Sequence, residues 1–459
     1  MKLLFLLLFI SLQIPAYSQE NKALASVDTT SLQSILQRGK VSGRVRNLFM
    51  ATDNASGLTD YYANGLGFGI GYESAPISNF HVGISGFFMY NLASSDLSTP
   101  DKATAAPNRY EIGLFDLQDV KSNYLMRLEN LYLKYSTKEL TIVLGKQGVR
   151  TPILNPQDGR LSPTLIEGLV VNWTTAQSTV DVGLITQISP RSTDGWYSVG
   201  RSVGINPAAI NTDGTKALYP QNIDSKWLAY IGYTLAVSKE LKVQVWDYHV
   251  DRILNCALVQ ANADIELSSK NHKLLTALQL TGETAIGDGG NADPKKTYMA
   301  ANSKAFSISS RIGYSAPGWR FLVNYTRITG DGRWLFPREW GRDVFFTFML
   351  RERNEGAGNV DAMNCAIQHE IFKGFTAELS YGHYYMPDVR EFRLNKYGMP
   401  SYNHCNVDIR YKFTGVLQGL DMQLLTTYKG LLGESYNQDK YIINRVRMAN
   451  INFVTNFTF

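Results

Sequence analysis

Long hydrophobic runs are nearly absent from this sequence. The one clear case is Leu3–Ile10, and no later stretch approaches the roughly 18 apolar residues that a membrane helix needs. A bundle of transmembrane helices is therefore excluded. A closed barrel is not, because a barrel wall needs alternation rather than continuous hydrophobicity. Cysteine is scarce as well. Cys256, Cys365 and Cys405 lie far apart with no Cys-x-x-Cys pair, which argues against a disulfide framework and reads as three small apolar side chains. Charge of one sign is missing too. The 45 basic residues stand against 40 acidic ones, a net +5 with no basic block, so no nucleic-acid footprint is present. With charged residues at 19% and aromatics at 12%, disorder and coiled coil are also poor fits.

What is present begins at the N-terminus. Lys2, the run Leu3–Ile10 and the small-x-small site Ala16-Tyr17-Ser18 read as a secretory signal peptide over 1–18. Residues 19–40 follow as a periplasmic segment, with one short helix around Leu32, Ile35 and Leu36 that Gly39 stops. From Val41 the hydrophobic period becomes two. Leu66, Phe68, Ile70 and Tyr72 alternate with Gly65, Gly67, Gly69 and Gly71. Phe375, Ala377, Leu379 and Tyr381 alternate with Thr376, Glu378 and Ser380. At the C-terminus Ala449, Ile451, Phe453, Phe457 and Phe459 oppose Asn450, Asn452, Asn456 and Thr458. One face is greasy and the other wet in segment after segment.

Spacing decides the architecture. The pattern gives strands from 41–51 through 444–459, joined alternately by very short turns and, for the most part, long loops. A soluble sandwich or propeller would show comparable loops at both ends or a blade repeat, and neither is found. The fold class expected over 41–459 is therefore all-β: an antiparallel transmembrane barrel of about 18 strands, with short periplasmic turns and long extracellular loops. The stretch 344–350 could add a strand inside one loop. The location expected is the bacterial outer membrane.

The stretches GKQGVRTPILNPQDGRLSPTLIEGL (145–169) and TRITGDGRWLFPREWGRDVFFTFMLRERNEG (326–356) resemble the OprD family of outer-membrane porins. The strand rhythm and the final phenylalanine fit it as well, although many barrels share those features. The resemblance implies an 18-stranded channel, monomeric or loosely trimeric, that passes small solutes by diffusion with some preference among them. It further implies that long outer loops fold inward and that lumenal arginines guide anionic groups. Phe457 and Phe459 resemble the terminal residues that the barrel-assembly machinery reads in outer-membrane barrels.

A selective pore needs a constriction whose charges partly replace a solute's water shell. Loop 148–164 offers Arg150, Asp158 and Arg160 on a backbone stiffened by Pro152, Pro156 and Pro163. Loop 329–358 offers Arg333, Arg338, Glu339, Arg342, Arg351 and Arg353, with Trp334, Phe336 and Trp340 too apolar for a loop left in water. Both loops are expected to dip into the lumen and meet. Alternation turns Arg44, Arg46, Arg311 and Arg410 toward the lumen wall, and Arg127 with Glu129 form a further inward pair on a strand whose phase is ambiguous. Any one of these arginines has two readings: a brace for the wall or loops, and a solute contact.

The function expected is a porin for small polar or anionic solutes, such as small carboxylates, amino acids or peptides. Its other partners would be outer-membrane lipid and the assembly machinery, with no cofactor, metal or nucleic acid. An adhesin or receptor working through its long loops is the alternative. A barrel hydrolase is weaker still, since the six histidines are dispersed and no Gly-x-Ser-x-Gly elbow or His-Glu-x-x-His occurs.

Overall fold

A computed structural model describes residues 32–156, 160–205, 210–269 and 271–459. The signal-peptide reading of 1–18 and most of the segment 19–40 lie outside the described residues, as does Asp158. A short helix, α1 (Leu32–Gln37), precedes the barrel.

Eighteen strands form the wall: β1 (Lys40–Asp53), β2 (Tyr61–Glu73), β3 (Phe80–Ser94), β4 (Tyr124–Ser136), β5 (Leu140–Gln147), β6 (Leu165–Thr174), β7 (Ser178–Ser189), β8 (Leu228–Ala236), β9 (Leu241–Val250), β10 (Leu254–Glu266), β11 (Lys273–Ala285), β12 (Lys304–Ala316), β13 (Trp319–Ile328), β14 (Val360–Phe372), β15 (Phe375–Tyr385), β16 (Tyr402–Lys412), β17 (Leu420–Leu431) and β18 (Met448–Thr458). Each pairs antiparallel with its sequence neighbour, and β18 closes the barrel on β1 from Arg44↔Thr458 to Asp53↔Ala449. A two-residue strand, Tyr197–Ser198, in the loop after β7 folds back and pairs antiparallel with Gln187 and Ile188 at the end of β7. Closure leaves no unpaired edge, which is the requirement for crossing a bilayer with strands.

One end carries turns as short as 317–318 and 373–374. The other carries the loops 95–123, 148–164, 190–227, 286–303, 329–359, 386–401 and 432–447, with shorter links at 54–60 and 251–253. The outer face follows the expected alternation: Phe68, Ile70, Val82, Ile84, Leu379 and Ile451 are exposed. Rings gather at both rims of this apolar band. Phe372, Phe375 and Tyr411 pack together beside the short turns, while Trp227 on His249 and Phe88 near Tyr124 sit toward the long loops. Such girdles mark the two lipid–water interfaces.

The ambiguity of β4 has a local cause. Ser85 pairs with Asn130 and Gly86 with Leu128, so Glu129 is an extra residue in the ladder. Arg127 and Glu129 face inward before this bulge, and Asn130 and Tyr132 take the inward phase after it, which defeats a strict period of two.

Buried apolar residues lie inside the barrel, where loops pack on the wall. Trp334, Phe336 and Trp340 join Tyr248, Trp246 and Val250 in one cluster. Leu97, Tyr110, Leu114 and Phe115 join Leu48, Met50, Phe87 and Met89 in another. Each fully buried large side chain contributes about 1.5–3 kcal/mol, so these contacts hold the long loops in the lumen. The glycine file of β2 makes room for them. A Cβ on Gly65 would come within 2.4 Å of Leu161, and one on Gly67 within 2.3 Å of the Phe87 ring.

Candidate functional site: an inward strap and its arginines

The segment 343–354 is not a strand. It is a strap that crosses the inner wall on main-chain and side-chain hydrogen bonds to eight successive strands. Gln279 on β11 donates to the Val344 carbonyl, and the Phe346 amide donates to Ser309 on β12. The Thr347 hydroxyl bonds to Thr326 on β13, and its carbonyl accepts from Asn364 on β14 and Tyr384 on β15. Asn406 on β16 donates to the Leu350 carbonyl at 3.3 Å, and Arg351 reaches Asn452 on β18 at 2.8 Å. On β17 the Lys429 Nζ donates to Glu352 at 2.8 Å. The base of the strap is closed by the Asn354 amide donating to Asp343 at 2.5 Å.

Two buried carboxylates fasten its C-terminal end. Glu352 takes Lys429 on one oxygen and Arg109, at 2.7 Å, on the other. Those cations hold it charged and well below the usual carboxylate range despite burial. Glu355 accepts from Arg338 at 3.0 Å, from the Tyr397 hydroxyl at 2.9 Å and from Lys396 at 3.4 Å. The Lys396 ammonium also lies 4.4 Å from the centre of the Tyr298 ring and 5.0 Å from that of Tyr219. Four separate loops are thereby tied at one point. Asp343 differs from both: burial raises its carboxyl to about 6, against the pull of Arg353.

Loop 148–164 touches the N-terminal arm of loop 329–359. The Asn155 amide donates to the Trp340 carbonyl at 3.1 Å, and the Thr164 hydroxyl to the Glu339 carbonyl at 2.8 Å. The Trp340 indole donates to Ser202 and Glu339 accepts the Gly204 amide, which adds loop 190–227 to the contact. Together these segments fill the lumen at the long-loop end.

Toward the short turns a space of about 380 Å³ opens beneath the strap. Its charged lining is Arg46, Arg311, Arg342, Arg351 and Arg410 against Glu378 and Asp408. Asp408 is already engaged by Arg410 at 2.7 Å and by Gln423 at 2.9 Å. The guanidinium of Arg311 stands over the Phe346 ring at 4.6 Å, and that of Arg342 is 5.9 Å from Phe348. Among the described residues, the Arg342 side chain has no hydrogen bond or ion pair.

The arginines read from the sequence thus occupy different places. Arg333 donates to the carbonyls of Ile210, Asn211 and Phe392 and pins three loops together. Arg353 caps the carbonyls of Arg338 and Gly341. Arg127 reaches the carbonyls of Pro163 and Pro190 above the end of the short strand β5, where Trp196 also caps the Leu128 carbonyl. Arg44 bonds Glu129 at 2.7 Å while lying on the Phe87 ring, and Arg46 bonds Asn456. Arg150 is exposed and makes no polar side-chain contact among the described residues. Arg160 is buried beside Gly113, and burial with Arg351 nearby lowers it to about 9.

Reasoning from sequence missed Arg191. It lies two residues beyond β7 in Pro190-Arg191-Ser192, half-buried, and loss of solvent together with nearby Arg160, Arg353, Arg338 and Arg351 pushes it well below its ordinary value. Its side chain has no hydrogen-bond or ion-pair partner among the described residues. Arg109, Lys396 and Lys429 were missed as well. Lys429 sits at an inward position of β17, which alternation could have shown; the loop residues carried no such signal. No cluster of metal-ligating residues is found among the described residues, and no helix there is long and apolar enough to cross a membrane.

Comparison with known proteins decides the family. The profile of the OprD family, outer membrane porins, matches residues 36–356. The chain belongs to the OprD family. It is therefore an outer-membrane porin, with the short turns periplasmic and the long loops extracellular. Solved structures of similar fold include OccK8 (OprE) of Pseudomonas aeruginosa, at 15% identity and TM-score 0.69, covering 93% of this chain and 99% of that one. OccAB2 of Acinetobacter baumannii matches at 13% identity and TM-score 0.70, covering 93% and 98%. Pseudomonas aeruginosa OpdK, solved with vanillate, matches at 14% and 0.69, covering 93% and 99%. No curated protein sequence matches the chain.

Proposed function

We propose that this porin conducts small solutes bearing a carboxylate, passively and with preference over neutral or cationic solutes of equal size. One observation carries the reading: the space beneath the strap is lined by five arginines and two carboxylates, one of them already paired. A positively lined lumen between low-dielectric walls concentrates anions and replaces part of their hydration with guanidinium donors. The solute-contact residues in this proposal are Arg342, Arg46, Arg311 and Arg351 in the wider space, and Arg191 with Arg160 at the loop contact. Arg333, Arg353 and Arg127 act as braces, since carbonyl groups take up their donors.

The inward packing of the long loops favours a conduit over an adhesin. The two histidines nearest the outer strand ends, His249 and His383, stack on Trp227 and beside Tyr381 and Tyr385 on the outer face, which suits an interface belt rather than catalysis. Phe457 and Phe459, exposed at the closing seam, are proposed as the insertion signal. Uptake by proteoliposomes tests the proposal: a small aromatic or aliphatic carboxylate should enter several-fold faster than a neutral sugar of similar size. Equal rates would overturn the anion preference.

A further inference from the structure

The outward positions of β8 run from Ala229 to Leu235, and the exposed Ile231 and Tyr233 lie among them. Trp227 continues this face one step beyond the strand, where its carbonyl accepts the Asp251 amide and its ring stacks on His249 with centroids 5.2 Å apart. From Leu235 to Trp227 is about 20 Å along the barrel axis, at ~3.3 Å per residue and a tilt of ~40°. That nearly spans the ~25 Å apolar band of an outer-membrane barrel, so the Trp227–His249 stack marks the outer lipid interface.

Directly beyond the stack lies an open pocket lined by Ser198, Arg201, Asn222, Asp224, Ser225 and Lys226. Arg201 and Lys226 are exposed, and the side chain of neither has a hydrogen bond or ion pair among the described residues. The pocket's one carboxylate, Asp224, is taken by Arg252, which also holds Asp288. Nearby Asp251 accepts the Lys226 amide at 2.8 Å. The Ser225 hydroxyl is buried and unpartnered. Two cations without counter-ions and a spare hydroxyl make an anion site, at the height of lipid headgroups and outside the lumen, while the Asn222 side-chain amide is already given to the Leu218 and Pro220 carbonyls.

We propose that this pocket binds a phosphate group carried on the head of an outer-leaflet lipid. Phosphate monoester is the chemistry that fits, because its oxygens can accept from a guanidinium, an ammonium and a hydroxyl together. Binding of this kind would anchor the extracellular loop 190–227 to the membrane surface.

The test uses the full-length protein in detergent with three probes: a bis-phosphorylated disaccharide lipid, the same lipid with its phosphates removed, and inorganic phosphate. Native mass spectrometry of wild type and the double variant Arg201→Gln/Lys226→Gln gives the dissociation constants. The proposal expects at least a tenfold loss of affinity for the phosphorylated lipid in the variant, and a similar loss in wild type when the phosphates are removed. The charge-conserving variant Arg201→Lys/Lys226→Arg should retain binding, and heat-modifiable gel migration checks that all variants are folded. Equal affinity of wild type and the Gln variant for the phosphorylated lipid would overturn the site. Inorganic phosphate binding without retention of the lipid would overturn the lipid assignment.

Discussion

Replacing Glu352 with alanine should loosen the strap without unfolding the barrel. The Glu352 side chain is only 4% exposed and neutralises Lys429, which is 0% exposed, at 2.8 Å. Removing one partner of a buried pair leaves an uncompensated charge and costs about 3–5 kcal/mol. Arg109 suffers less, since it is 26% exposed and also donates to the Asn444 carbonyl at 3.1 Å. The remaining strap bonds to β11–β16 and β18 contribute about 0.5–1.5 kcal/mol each, so the loss equals that of several of them. The C-terminal half of the strap should therefore spend a measurable fraction of time off the wall. Single-channel recording in planar bilayers would read this as larger open-channel noise and new conductance levels. Glu352→Gln with Lys429→Met, which removes both charges at similar volume, should recover most of the wild-type trace. A Glu352→Ala trace indistinguishable from wild type would refute the reasoning.

Arg342→Ala and Arg191→Ala each remove a guanidinium that no carboxylate neutralises, so each should lower the anion-to-cation permeability ratio several-fold; Arg333→Ala should instead broaden conductance by loosening loops, leaving selectivity nearly intact. Asp343 gives a pH dependence. Its folded pKa of about 6 lies above the usual carboxylate value, so the folded loop binds an extra proton as pH falls through 6. Closure of the strap is then favoured at lower pH and weakened as pH rises through 6, by the linkage of proton binding to stability. The same protonation removes a negative charge beside Arg353 and Arg338, so anion preference measured by reversal potential should increase from pH 7.5 to 5. Asp343→Asn should flatten that profile, and an unchanged profile would exclude Asp343 as its source. Gly67→Val drives a side chain into the Phe87 ring and should cost about 1–3 kcal/mol, seen as a lower heat-modification temperature, whereas Gly57→Ala meets open space on its Cβ side and tests only its backbone strain.

The barrel was legible because alternation is written residue by residue. Leu66, Phe68 and Ile70 against their glycines declare an outer and an inner face, and the contrast between 373–374 and 329–359 declares two ends. Alternation failed on β4, where the bulge at Glu129 shifts the phase inside one strand. It also failed to say whether 344–350 is a strand: Val344, Phe346 and Phe348 share a period, but the wall was already complete and the segment lies across it. Trp334 and Trp340 were legible as apolar anchors in a loop that had to be buried somewhere. What each arginine does was not, because a brace such as Arg333 and an unneutralised guanidinium such as Arg342 differ only in the carbonyls and carboxylates brought near them by folding. Arg191 belonged to a loop with no period and no charged neighbour in sequence, so only the packing of distant loops reveals it among four other arginines.

The central claim is that the lumen beneath the strap is an anion path. The most direct measurement is the reversal potential of the purified channel under a salt gradient, first with potassium chloride and then with the potassium salt of a small carboxylate. The account predicts anion selectivity in both salts, falling toward neutrality in the double variant Arg191→Ala/Arg342→Ala. A cation-selective wild-type pore, or a variant as anion-selective as wild type, would contradict it.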